Sequence, residues 1–226
     1  MAMPVVDVLS ALETVRDPEL DEPVTTLGFV ASCQGSVDGV AEVHLRLPTY
    51  FCAPNFAFLM VADAHDAVSA VPGVNRAVIV LDDHFASDAI NAGVAARAGF
   101  VDTFGAQAAG ELDTLRADFV RKAVLAGTDR VCRPLLRDGV ELARLTLGGL
   151  PQSPELDRLR ERRREVGLPA GDDAALLVDV VTGAPVAEGD VPLHLGKARL
   201  SRVNIEANTS ICRGMLAARY GTEESE

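Results

Sequence analysis

Val5, Val8, Leu9, Leu12 and Val15 recur at intervals of three and four, which predicts an amphipathic helix over residues 4–16. Asp17-Pro18-Glu19 ends it, because a residue before proline avoids the helical region. Leu27 to Gln34 is strand-like, and Gly35-Ser36-Val37-Asp38-Gly39 reads as a hairpin turn. Ala41, Val43, Leu45 and Leu47 then alternate with Glu42, His44 and Arg46, a half-buried strand with one wet face. A helix from Pro54 to Ala70, closed by Val71-Pro72-Gly73, precedes a third strand from Val74 to Leu81. Helix, β-hairpin, helix, strand in that order predicts an α+β fold, a two-layer domain with helices on one face of a small sheet.

Beyond Asp82 the pattern changes. Residues 84–98 and 106–126 are Ala-rich and helical in spacing, punctuated by Gly99, Gly105 and Gly127. Val140 to Leu147 is ambiguous, and Leu176 to Val181 and Pro192 to Val203 read as strands. Ser153-Pro154-Glu155 starts a helix that Gly167 stops, and Asn208-Thr209-Ser210 caps a last helix to Tyr220. Thr222 to Glu226 forms an acidic tail. This divides the chain into a domain at 1–83 and a mixed, helix-rich extension at 84–226.

Charge narrows the partners. With 21 basic and 33 acidic residues the net charge is −12, which argues against nucleic acid and anionic membranes. The one basic run, Arg158, Arg160, Arg162, Arg163 and Arg164, is interleaved with acids and reads as a solvated helix face. Met1-Ala2-Met3-Pro4 lacks a basic start, and the longest uncharged run, Leu47 to Ala62, is broken by prolines. The expectation is a cytoplasmic chain in which Cys33, Cys52, Cys132 and Cys212 are free thiols.

Two of those thiols carry candidate chemistry. Cys52 lies in a short turn with Thr49, between a strand and a helix whose first turn holds Pro54. Unpaired N–H groups and the positive helix end favour thiolate there, the form that binds iron, copper or zinc. Cys212, in the first turn of its predicted helix and beside Arg213, has the same features. Cys212 is equally readable as a small buried hydrophobe, and on these features alone that reading is preferred for Cys52, as it is for Cys33 and Cys132. Asp82, Asp83, His84 and Asp88 offer hard ligands, although a loop and a helix cap explain the aspartates without metal. Phosphate-loop, dinucleotide, nucleophile-elbow and zinc-protease motifs are all missing, so no enzyme is expected. Four scattered thiols do not make the ligand set of a resident cluster.

The ordered set Asp17-Pro18-Glu19, Leu27-Gly28-Phe29-Val30, Leu45-Arg46-Leu47, Thr49 and Cys52, then Val71-Pro72-Gly73-Val74 resembles the SufT/PaaD-like iron–sulfur cluster assembly domain over residues 5–82. The resemblance implies an accessory factor that builds or delivers iron–sulfur or related iron centres in an apo-metalloenzyme client. By carry-over Cys52 is the functional thiol, with Asp17, Glu19 and Thr49 around it. Ala53 stands where the family commonly places proline directly after the cysteine. The cargo would be transient iron or an iron–sulfur cluster, held by Cys52, joined by Cys212 if folding brings the two together, or shared across a homodimer. The longer form is similar to proteins found beside multicomponent di-iron monooxygenases, which suggests such an oxygenase as client. The alternative is a metal-free, chaperone-like adaptor for an oxygenase subunit.

Overall fold

The computed structural model describes residues 5–108, 110 and 112–221; the acidic tail expected at 222–226 lies outside them. The chain divides into two compact units, one built from Met1–Leu112 and Asn208–Glu226, the other from Asp113–Ala207. The boundary expected after residue 83 therefore falls inside the first unit, which also takes the end of the last helix.

In the first unit α1 (Val5–Leu12) precedes the hairpin of β1 (Val30–Gly35) and β2 (Val40–Arg46). Then come α2 (Pro54–Ser69), β3 (Arg76–Asp82), α3 (Ser87–Ala95) and α4 (Phe100–Phe104). The sheet order is β1-β2-β3, antiparallel then parallel. A parallel pair cannot be joined by a tight turn, and α2 is the crossover it requires. Alternation along β2 and β3 sorts the two faces. Val43 lies opposite Ile79 and Leu45 opposite Leu81, all buried, while Glu42, His44 and Arg46 take the wet side. α1 packs on α2 and β1, and α2 on β3, giving the expected two layers.

Gly39 explains the turn chemistry. Its φ is +76°, and a Cβ there would stand 2.6 Å from the Gly73 carbonyl, so the hairpin tip and the Val71-Pro72-Gly73 turn meet only if position 39 is glycine. Gly28 (φ +77°) similarly lies against Leu216, whose side chain is buried in this unit's core.

The second unit comprises α5 (Asp113–Arg137), α6 (Pro154–Glu165) and the first part of α7 (Val191–Tyr220). Ser153 caps α6 as expected, its Oγ accepting the Leu156 N–H at 3.2 Å. Three expectations are corrected here. Pro192 to Val203 is helix: the buried residues Ala198, Arg202 and Ile205 follow helical spacing, and Leu193 and Leu200 are exposed. Leu176 to Val181 forms turns with one bridge, Val178 to Pro185, instead of a strand.

The arginine run is not a solvated face, since Arg160, Arg162 and Arg163 are buried. Arg163 donates to the carbonyls of Pro169 (3.2 Å), Ala175 (2.9 Å) and Leu176 (2.5 Å), and Arg160 to that of Ala170 (2.8 Å). An irregular buried segment has carbonyls that no ladder satisfies, and the guanidinium fork supplies the donors.

Candidate functional site

The site is assembled from two turns of the first unit and the end of α7. Asp17 organises one: its Oδ1 accepts the N–H groups of Glu19 (2.9 Å) and Leu20 (2.8 Å), closing the Asp17-Pro18-Glu19 corner. The side chain is nearly sealed from solvent. Burial pushes its carboxyl up to about 6, against the pull of the Leu20 and Glu19 N–H groups, and the Glu19 charge adds to the rise.

A second turn holds the thiol. The Cys52 N–H approaches the Thr49 carbonyl at 3.5 Å, and Sγ lies 3.4 Å from Thr49 Oγ1. Cys52 is half-buried, just ahead of α2, with Ala53 at the cap position and Pro54 in the first turn. The Ala53 carbonyl accepts the Phe56 and Ala57 N–H groups, so the inserted alanine serves as the entry to the helix.

Cys212 completes the group from α7, but not as expected. It lies well inside that helix, which starts at Val191, and no helix begins at Asn208. Asn208, which reads as a cap, instead donates to Glu19 Oε1 at 3.1 Å. The Cys212 thiol is pushed up to about 11, the opposite of the expected lowering. Burial is the main cause, followed by the negative charges of Asp17, Cys52 and Glu19. The structure thus brings Cys52, Cys212, Asp17 and Glu19 within electrostatic range, with Thr49 on the Cys52 sulfur. Among the described residues no three histidine, cysteine, aspartate or glutamate side chains are grouped as a ready-made metal site.

The remaining candidates are accounted for locally. Asp82 pairs with His44 at 3.0 Å, and Asp83 takes Arg219 and Tyr220. The His44 imidazole is pushed up by its hydrogen bonds to Asp82 and Glu42. Cys132 is fully buried in the second unit, its thiol pushed up to about 12 by burial, and burial likewise raises that of Cys33.

His84 is a residue that sequence reasoning weighed only as a metal ligand. It is buried, its Nδ1 accepting the Ala86 N–H (3.2 Å), which leaves Nε2 to donate to the Cys52 carbonyl (2.7 Å). The Phe85 N–H donates to the Tyr50 carbonyl at 3.1 Å, so the segments 49–52 and 83–86 are fastened together at two points. Around them Tyr50, Phe51 and Phe85 form an exposed aromatic cluster, with ring centroids 5.0–6.4 Å apart. Tyr50 and Phe51, adjacent to Cys52, were a signal available in the sequence, whereas Phe85 joins them only through the fold.

A hairpin and a crossover helix that present one half-buried thiol define a small α+β, thiol-bearing domain. Residues 6–79 match the family described as iron-sulfur cluster assembly protein. The match includes Asp17, Glu19, Thr49 and Cys52, whereas Cys212 lies outside it. No curated protein and no solved structure matches the chain. Among the described residues no helix is long and apolar enough to cross a membrane.

Proposed function

We propose that this protein is a non-enzymatic accessory factor that handles iron, or a nascent iron–sulfur cluster, as cargo on Cys52 and passes it to an apo-metalloenzyme. The family match supports the role in iron–sulfur cluster assembly. The observation that carries the site is the placement of the half-buried Cys52 sulfur just ahead of α2, 3.4 Å from Thr49 Oγ1, beside a Cys212 thiol whose proton is held on by burial and by the charges of Asp17, Cys52 and Glu19. A metal cation that replaces this proton turns the same unfavourable field into an attractive one. Sulfur is the donor that iron–sulfur chemistry uses. Two thiols are fewer than the four a resident cluster ordinarily takes, so the cargo is held briefly or completed by a second copy or the client. A multicomponent di-iron monooxygenase is the client this reading favours.

The test loads the purified chain anaerobically with ferrous iron and sulfide, then measures bound iron, bound sulfide and transfer to an apo-ferredoxin. Cys52→Ser should lose most of the bound iron and all transfer, and Cys212→Ser part of the bound iron, with unchanged circular dichroism. Equal loading and transfer by Cys52→Ser overturns the proposal. The exposed Tyr50, Phe51 and Phe85 cluster favours a second reading, a metal-free adaptor that docks an oxygenase subunit through aromatic side chains. Under that reading Phe51→Ser abolishes client maturation while Cys52→Ser leaves it intact.

A further inference from the structure

The sheet order leaves one side of β3 without a neighbouring strand. At Leu81 that side is already filled: the Asn91 amide accepts the Leu81 N–H at 2.8 Å and donates to the Leu81 carbonyl at 3.2 Å, as a partner strand would. Peptide groups along a strand alternate in direction, so those of Ile79 and Ala77 point the same way as those of Leu81. Among the described residues no further side chain plays the part of Asn91 for them. They border a groove of about 600 Å³, walled by the ends of α2 and α3. Arg76 and Arg97 line it, both exposed, and neither guanidinium has a carboxylate partner among the described residues. In a chain with 33 acidic residues, two uncompensated arginines beside an open strand edge select for a carboxylate-bearing occupant.

We infer that the outer edge of β3, from Arg76 to Ile79, is a strand-addition site for an extended, acidic segment of a partner protein. Main-chain hydrogen bonds to Ala77 and Ile79 hold the added strand, and its carboxylates meet Arg76 and Arg97. A second copy of this chain fits less well, because it brings two more guanidiniums to a groove that already holds two. The inference is independent of the thiol chemistry, since it uses none of Asp17, Glu19, Thr49, Cys52 or Cys212.

The probe is the blocked peptide Val-Glu-Val-Glu-Val, titrated into the isotope-labelled full chain and followed by amide NMR and hydrogen exchange. Saturable shifts and slowed exchange at Ala77 and Ile79 are expected, with no such effect from Val-Lys-Val-Lys-Val. Ala77→Pro removes one outward N–H from an edge that tolerates proline, and should weaken binding about tenfold, roughly one main-chain hydrogen bond. Arg97→Glu, an exposed change that leaves one charge of each sign in the groove, should abolish the preference for the glutamate peptide. Unchanged exchange at both amides, or equal binding of both peptides, overturns the inference. Concentration-dependent self-association that protects the same amides without peptide would overturn it in favour of a second copy.

Discussion

Asp17 is the residue where fold and chemistry compete. Its Oδ1 closes a turn, while the carboxyl as a whole is buried and holds its proton to about pH 6 instead of the ordinary 3.8. Between those values the native chain binds more protons than the unfolded one. Stability therefore falls as pH rises through that window and levels off above it. Asp17→Asn keeps an oxygen for the Glu19 and Leu20 N–H groups and removes the charge. The variant should match the wild type near pH 4 and exceed it by about 2 kcal/mol at pH 7.5, as read by urea unfolding across that range. The same substitution removes the foremost negative charge on Cys212. The Cys212 thiol should then titrate below its value of about 11, which site-resolved iodoacetamide alkylation against pH will show. A wild-type alkylation profile in Asp17→Asn would mean that the Asp17 charge does not act on that thiol.

At the level of elements, the clamp between segments 49–52 and 83–86 rests on His84. His84→Ala should cost roughly 1–3 kcal/mol, the loss of one partner from a buried hydrogen bond, and should speed amide exchange around Thr49 to Ala53. In the second unit Arg163→Lys should cost a similar 2–3 kcal/mol in urea, because one ammonium cannot span the three carbonyls that the guanidinium serves. Both cases mark where the sequence was legible and where it was not. Every element from Val5 to Asp82 was readable, because alternation in β2 and three-to-four spacing in α1 express a single buried face. The Thr49–Cys52 turn was readable from its prolines. Beyond residue 112 the Ser153 start of α6 was readable, but Leu193 and Leu200 are exposed apolar residues of a helix, and Leu176 to Val178 is a buried run held by scattered backbone bonds and an arginine side chain on the Leu176 carbonyl instead of by a strand ladder. Neither long-range pairing, Asn208 with Glu19 nor His84 with the Cys52 carbonyl, leaves a local pattern, since the partners are distant in the chain.

For the whole molecule, the consequential fact is that residues 208–221 complete the first unit. Leu216 is buried in its core, Arg219 donates to the Leu47 carbonyl at 3.1 Å and pairs with Asp83, and Asn208 reaches Glu19. The second unit has its own core, and its buried ion pair of Arg202 with Asp129 at 2.5 Å lies before residue 208. A chain ending at Ala207 separates the two. Its first unit should lose amide protection in β1, β2 and β3, since a vacated leucine site alone costs about 2–5 kcal/mol, whereas protection in α5 and α6 should persist. Hydrogen exchange with mass spectrometry reads both units at once. The truncated chain also keeps Cys52 and lacks Cys212, so its iron loading compared with that of Cys212→Ser separates two effects of the tail. If the tail matters only for its sulfur, the two proteins load alike. If it also holds Glu19 and the Asp17 turn in place, the truncated chain loads less, and a synthetic 208–221 peptide added in trans restores protection and loading together.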